Sequence, residues 1–189
     1  MSANKANQAE VEAFKAAAEA GCDQEALAIL EDLRDKVNQL NPAQKAAIYY
    51  HEGLICERAG NLPCAEEAFT KLFHEGLKRR QSYNQTLALH NLGWVYTQMD
   101  RYTEAIDRYR QALRILNSHM DNYQTLLSQN YLGQGDCFRR AGDNEEAAMY
   151  YELALAFAES INNQNLCDEV RKKLCAVKPS SEELSFSQA

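Results

Sequence analysis

Apolar residues recur along this chain at the three- and four-residue steps of amphipathic helices, in blocks separated by short polar turns. In "AGN" at 59–61 and "AGD" at 141–143, the glycine can end one helix in the left-handed conformation, and the residue after it can cap the next helix. "NPAQ" at 41–44 and "DNYQ" at 121–124 both fit a capping-box start with glutamine at N3. The pattern predicts an all-α protein with helices over residues 5–20, 23–39, 42–59, 62–79, 83–99, 101–117, 122–141, 144–160 and 164–176.

The predicted helices form pairs that repeat along the chain. Four alanines, spaced by 39, 40 and 42 residues, mark the copies: Ala26, Ala65, Ala105 and Ala147. Twelve residues before these anchors stand Phe14 in the first copy and glycines in the others: Gly53, Gly93 and Gly135. Four residues after the anchors stand large side chains: Leu30, Phe69, Tyr109 and Tyr151. Small residues let two antiparallel helices approach where they cross and large ones fill the seam, so each copy predicts a helical hairpin.

A turn residue stands five positions before each of the four alanines: Gly21, Gly60, Asp100 and Gly142. Together with the columns above, this pattern resembles the tetratricopeptide repeat. The best copy is "LHNLGWVYTQMDRYTEAIDRYRQAL" at 89–113, and the resemblance covers about residues 7–176. The spacing exceeds the family's usual period of about 34 residues, and is similar to longer-helix variants such as kinesin light chains. The fourth copy has an alternative alignment through Leu132-Gly133, but Gly135 preserves the step of seven residues to the turn at Gly142.

The resemblance implies an all-α, right-handed superhelix in a single domain over residues 1–176, with repeats at about 7–40, 42–80, 83–118 and 122–161. Residues 164–176 would form a capping helix, because an end hairpin otherwise exposes an apolar face. The apolar positions of this helix follow the helical step, and its charged residues are expected to point outward: Asp168, Glu169, Arg171, Lys172 and Lys173. The polar tail at 177–189 is expected to be disordered. A further hypothesis is that Leu184 and Phe186 of the tail dock in the chain's own groove.

In this family the first helix of each hairpin lines a concave groove that binds other proteins. Carried onto this sequence, the groove positions are Tyr50, Leu54, Glu57, Leu87, His90, Trp94, Thr97, Leu132, Asp136 and Arg139. The lysine–asparagine–arginine clamp by which some members bind acidic chaperone termini is missing. The resemblance therefore implies a partner that presents apolar or aromatic side chains, as an amphipathic helix or an extended segment. Packing between neighbouring helices remains the alternative role for His90 and Trp94.

Composition and charge narrow the classes of partner. A net charge of −7 and a sequence pI near 5.2 argue against nucleic acid, which needs a basic face, and disfavour an anionic membrane surface. The sequence holds no long apolar run and no apolar core near its start, so a membrane span and a secretory signal are not expected. Six cysteines never occur as Cys-x-x-Cys, which favours buried thiols in a reducing cytoplasm: Cys22, Cys56, Cys64, Cys137, Cys167 and Cys175.

The candidate chemical motifs are incomplete. "HEG" at 51–53 and 74–76 opens a zinc-protease pattern, but Ile55 and Lys78 stand where the second histidine is required. "GQGD" at 133–136 lacks the preceding strand of a nucleotide fingerprint. We therefore expect no cofactor, no metal and no enzyme activity. The predicted function is an adaptor that binds a peptide or helix of another protein. The alternatives are a self-associating subunit, which would form a homo-oligomer, and a dedicated chaperone for a secreted or assembling client.

Overall fold

The computed structural model describes residues 3–116 and 123–178, and all the long regular elements within these residues are α-helices. They are α1 (Ala3–Glu19), α2 (Asp23–Arg34), α3 (Pro42–Arg58), α4 (Leu62–Arg79), α5 (Ser82–Gln98), α6 (Tyr102–Leu116), α7 (Gln124–Arg140), α8 (Asn144–Ser160) and α9 (Gln164–Val177). The all-α prediction is confirmed. Residues 179–189, which include Leu184 and Phe186, lie outside the described residues, so disorder of the tail and its docking in the groove stay predictions.

One predicted helix is too long. Helix α2 ends at Arg34, and a 3-10 turn at Val37–Gln39 follows it, although the sequence pattern continued to residue 39. Pro42 disfavours helical backbone at the residue before it, and the chain is already extended at Leu40, with ψ of 147°. Leu40 is nevertheless buried in the same core as Leu33. The buried apolar residues Leu33 and Leu40 are therefore connected through a tighter 3-10 turn and not through an unbroken α-helix.

The helix ends otherwise follow the predicted signals, with one exception. Asn41 forms a complete capping box with Gln44, and Asn61 and Asp143 cap the helices after them. Helix α7 begins at Gln124, two residues after the predicted start at residue 122, and Tyr123 before it makes no side-chain cap. The cap predicted at Asp121 lies outside the described residues and stays a prediction.

The chain divides into two compact units, residues 1–95 and 96–189, with the boundary inside α5. In the first unit, the core gathers apolar side chains of α1, α2 and α3 around Phe14, which is fully buried. In the second unit, apolar side chains of α7, α8 and α9 pack around Tyr151. The single domain over residues 1–176 stays a prediction.

Close approach within hairpins explains the glycine column. A Cβ atom at Gly53 would lie 2.5 Å from the Phe69 ring, and one at Gly135 would lie 2.5 Å from the Tyr151 ring. These are the aromatic partners that the repeat pattern assigns to the two glycines. Gly133 instead lies against Tyr109 of α6, where a Cβ atom would lie 2.6 Å from the ring. The fourth copy therefore aligns through Gly135, and Gly133 is explained by packing on the preceding hairpin.

Candidate functional site

In the first unit, α3 and α5 together form a surface that contains six of the predicted groove residues. Each of the six is half-buried: Tyr50, Leu54, Glu57, Leu87, His90 and Trp94. On each helix they recur at three- and four-residue steps, which places them along one side of that helix. We call this surface the α3–α5 face. Its side chains keep part of their area in water, as contact with a partner requires.

The indole of Trp94 is fixed to α3 by a hydrogen bond. Its Nε1 donates to Oε1 of Glu57 at 2.6 Å. Burial raises the pKa of the Glu57 carboxyl, although the Trp94 hydrogen bond and the charge of Arg58 act in the opposite direction. Arg58 itself donates to Asp23 and to the backbone carbonyl of Ala18, at 2.5 and 3.2 Å. Glu57 is therefore a half-buried carboxylate whose direct partner is an uncharged N–H group.

An open cleft of about 290 Å³ lies on the same unit. Its larger lining side chains are Tyr50, His51, Leu72, Tyr83 and Leu87, and its smaller ones include Ala43, Ala46 and Ala47. The alanine side chains are small, so they leave room for the cleft, and the tyrosine and leucine side chains make the walls of the cleft largely apolar. Burial raises the pKa of Tyr50, and the nearby Tyr83, Glu57 and Glu19 raise it further.

Tyr83 was missed by the sequence analysis although a signal for it was present. It is 50% exposed, and it lines the cleft with Leu87. Tyr83, Leu87, His90 and Trp94 follow the four-, three- and four-residue steps of one helix side. Extending the groove positions by one turn toward the start of α5 would have found it.

The second unit holds the other four predicted groove residues, and it buries three of them. Thr97, Leu132 and Asp136 are buried, while Arg139 is exposed. Leu132 packs in the core with Leu166 and other apolar residues of α9. Any contact of these positions with a partner stays a prediction, but only Arg139 among the four presents an exposed side chain.

Asp136 is held by two side chains of its own unit. Its Oδ1 accepts a hydrogen bond from the Tyr151 hydroxyl at 2.7 Å, and its Oδ2 lies 2.5 Å from Nζ of Lys173 on α9. The expectation that Lys173 points outward was therefore wrong, because its flexible stem lets the ammonium group reach back to a buried carboxylate. Burial raises the pKa of Tyr151, and the hydrogen bond to Asp136 raises it further.

The cysteines depart in part from the expectation of buried thiols. Cys137 and Cys167 are buried thiols, and burial raises the pKa of Cys137. Cys22 and Cys175 are exposed. Cys56 and Cys64 form a disulfide between α3 and α4, with Cα atoms 5.7 Å apart. The hairpin turn brings the last turn of one helix beside the first turn of the next, which the spacing in sequence did not reveal.

Over residues 3–116 and 123–178, no three or more histidine, cysteine, aspartate or glutamate side chains are grouped so as to hold a metal ion. Over the same residues, no helix combines the length and the apolar character needed to cross a membrane.

Antiparallel helix pairs, with glycine facing an aromatic ring inside the hairpin, place this chain in the class of helical-hairpin repeat proteins. Residues 85–160 match the sequence model of a family described as tetratricopeptide repeat. Residues 85–160 therefore contain tetratricopeptide repeats, and the resemblance inferred from the sequence is confirmed. Protein–protein interaction is the general function that this family suggests. Proteins built from this repeat are generally scaffolds without enzyme activity.

One curated relative is the photosystem I assembly protein Ycf3 of Cyanophora paradoxa. It is 27% identical to this chain over 139 residues, which make up 69% of this chain and 78% of Ycf3.

Among solved structures, BtubC (BKLC) from P. vanneervenii has a TM-score of 0.72 at 18% identity, over 85% of this chain and 67% of BtubC. A kinesin light chain protein with nearly identical TPR-like repeats from Podospora anserina has a TM-score of 0.62 at 14% identity, over 95% of this chain and all of that one. The apo form of RapI has a TM-score of 0.55 at 12% identity, and its match covers this whole chain but 64% of RapI. At these identities the likeness shows a shared helical-repeat fold.

Proposed function

We propose that this chain is an adaptor that binds a segment of another protein on the α3–α5 face. The observation that carries the proposal is the combination of an open, largely apolar cleft with half-buried aromatic side chains beside it. Tyr50, Tyr83 and Leu87 line the cleft, and Trp94 lies further along the same side of α5. Concave sites with apolar walls and a few oriented polar groups are typical of binding sites.

The cleft favours a partner that presents an apolar or aromatic side chain. Such an anchor would displace water from Tyr50 and Leu87, and a well-packed anchor typically contributes on the order of 2 kcal/mol or more to binding. The partner segment is an amphipathic helix or an extended peptide, since either form can place one apolar side chain in the cleft while it lies along the face.

The test begins with the partner isolated from the native source and its binding to the purified chain. Leu87→Ala should weaken that binding by about tenfold, because it removes one wall of the cleft. Leu77→Ala is the matched control, since Leu77 is 46% exposed on α4 and does not line the cleft. Equal affinity of the two variants would place the partner elsewhere and overturn the proposal. Light scattering of the purified chain separates this function from self-association, in which the chain would form a stable oligomer without any partner.

A dedicated assembly chaperone is the second candidate, and the relative named as a photosystem I assembly protein favours it. An adaptor remains in the complex that it joins, whereas an assembly factor leaves once its client is complete. Pulse-labelling of the partner, followed by capture of the tagged chain, separates the two functions. Loss of the chain from mature partner complexes would favour the chaperone, and retention would favour the adaptor.

A further inference from the structure

The Glu57 carboxylate lacks a charged partner in a place where it has lost part of its water. It is half-buried, and its Oε1 accepts the Trp94 N–H group. Within residues 3–116 and 123–178, Glu57 forms no ion pair, and its Oε2 accepts no hydrogen bond. The nearest arginine in sequence, Arg58, donates its hydrogen bonds to Asp23 and Ala18, and its charge acts on Glu57 without forming an ion pair. A carboxylate in this position gains from a cation that arrives from outside.

Trp94 adds an aromatic surface beside this carboxylate. The hydrogen bond to Glu57 fixes the orientation of the indole, so that the ring does not have to be ordered when a ligand arrives. The Trp94 residue is half-buried and keeps part of its area in water. Tryptophan is the side chain whose face attracts an ammonium or guanidinium group most strongly. A carboxylate and an indole held side by side therefore suit a lysine or arginine side chain.

A second carboxylate contributes to the same electrostatic field. Glu19 is largely exposed at the end of α1, and its ion-pair partner is Nε2 of His51 at 3.7 Å. Burial lowers the pKa of His51, and the charges of Lys15 and Arg58 lower it further, while Glu19 acts in the opposite direction. Glu19 and Glu57 both act on Tyr50 in the cleft. Tyr50 therefore lies in the field of two carboxylates at the wall of the apolar cleft.

We propose that the α3–α5 face recognises a cationic amphipathic segment, in which a lysine or arginine side chain binds Glu57 and the Trp94 ring while a neighbouring apolar side chain enters the cleft. This inference rests on the proposed function and specifies the charge of the partner. An acidic segment would bring like charges to Glu57 and Glu19. An uncharged segment would remove more water from Glu57 without replacing it by a cation.

The probes are three synthetic amphipathic peptides of equal length, each with leucine on one side and lysine, glutamine or glutamate on the other. Trp94 is the only tryptophan, so its fluorescence reports binding at this face. The lysine peptide should bind at least about tenfold more tightly than the glutamine peptide, and added salt should reduce that preference. The glutamate peptide should bind most weakly.

Glu57→Gln is the decisive variant, because the amide carbonyl of the glutamine can still accept the Trp94 N–H bond while the negative charge is lost. It should abolish most of the preference for lysine without changing the thermal midpoint by more than a few degrees. Glu31→Gln is the matched control, since Glu31 is exposed on α2 and its removal changes the net charge equally. The control should bind like the unmodified chain.

If Glu57→Gln and Glu31→Gln lose the preference for the lysine peptide equally, the preference arises from net charge alone and the inference is overturned. Equal binding of the lysine and glutamine peptides would also overturn it, while leaving an apolar groove and the proposed function intact. Failure of all three peptides to change Trp94 fluorescence rejects the cation site. In that case the proposed function is still decided separately by the affinity of Leu87→Ala for the isolated partner.

Discussion

The contact between Lys173 and Asp136 predicts how strongly α9 is held to the second unit. Asp136 keeps 7% of its side chain exposed and Lys173 keeps 29%, so the pair is buried on the carboxylate side only. Removing one partner of a fully buried pair costs about 3–5 kcal/mol. Here the ammonium group keeps some water and Tyr151 still donates to Asp136, so we expect Lys173→Met to cost about 2 kcal/mol. For a chain of this size that corresponds to a fall of about 4–8 °C in Tm.

The assay is thermal and urea unfolding followed by circular dichroism, with Lys172→Met as the control. Lys172 is the neighbouring lysine on α9 and is exposed, so its loss should change stability by less than about 0.5 kcal/mol. Lys173→Met combined with Asp136→Asn should recover part of the loss, because the buried carboxylate that lacked its cation is then absent. Equal stability of Lys172→Met and Lys173→Met would refute the reasoning and return Lys173 to the solvated side of the helix.

Two further predictions concern the first unit and the hairpin seam. Trp94→Ala should weaken partner binding by about thirtyfold while leaving the chain folded. Tyr109→Ala should instead cost about 3 kcal/mol of stability, because that ring is fully buried in the hairpin seam. Binding titrations and urea unfolding of both variants check this, and an equal loss of stability in the two variants would make Trp94 a core residue. Burial lowers the pKa of His51 below its ordinary 6.5, so the unfolded state binds more protons between that lowered value and 6.5, and stability should rise with pH through this window. His51→Gln should flatten the rise in urea midpoint between about pH 5 and about pH 7, and an unchanged slope would show that His51 is not its source.

The sequence allowed the fold to be predicted closely, because the same pattern of packing residues occurs in several copies of the repeat. Gly53 and Gly135 each stand opposite the aromatic residue that their own copy supplies, as the column pattern required. Turn and cap signals set most helix ends within about two residues. The exception is the end of α2, which stops at Arg34 although the apolar pattern continues through the 3-10 turn at Val37–Gln39 that precedes Pro42.

The candidate site was harder to predict, because a repeat position fixes the side of a helix but not what covers it. The same kind of position is half-buried at Trp94 and buried at Asp136, whose carboxylate is contacted by Lys173 of α9. Tyr83 lies one turn outside the usual groove positions and was overlooked, although it helps to line the cleft.

The sequence by itself determined the helices, their pairing into hairpins and the side of each first helix that would carry the groove positions, because these depend on spacing within one turn or one hairpin. Only the tertiary structure decided which of those positions keep contact with water, which cysteines meet, and where a charge lacks a partner. Those properties depend on distances between residues far apart in sequence, such as the 37 positions that separate Glu57 from Trp94. A periodic pattern constrains such distances too weakly to show that Trp94 bonds a carboxylate, or that Lys173 reaches one.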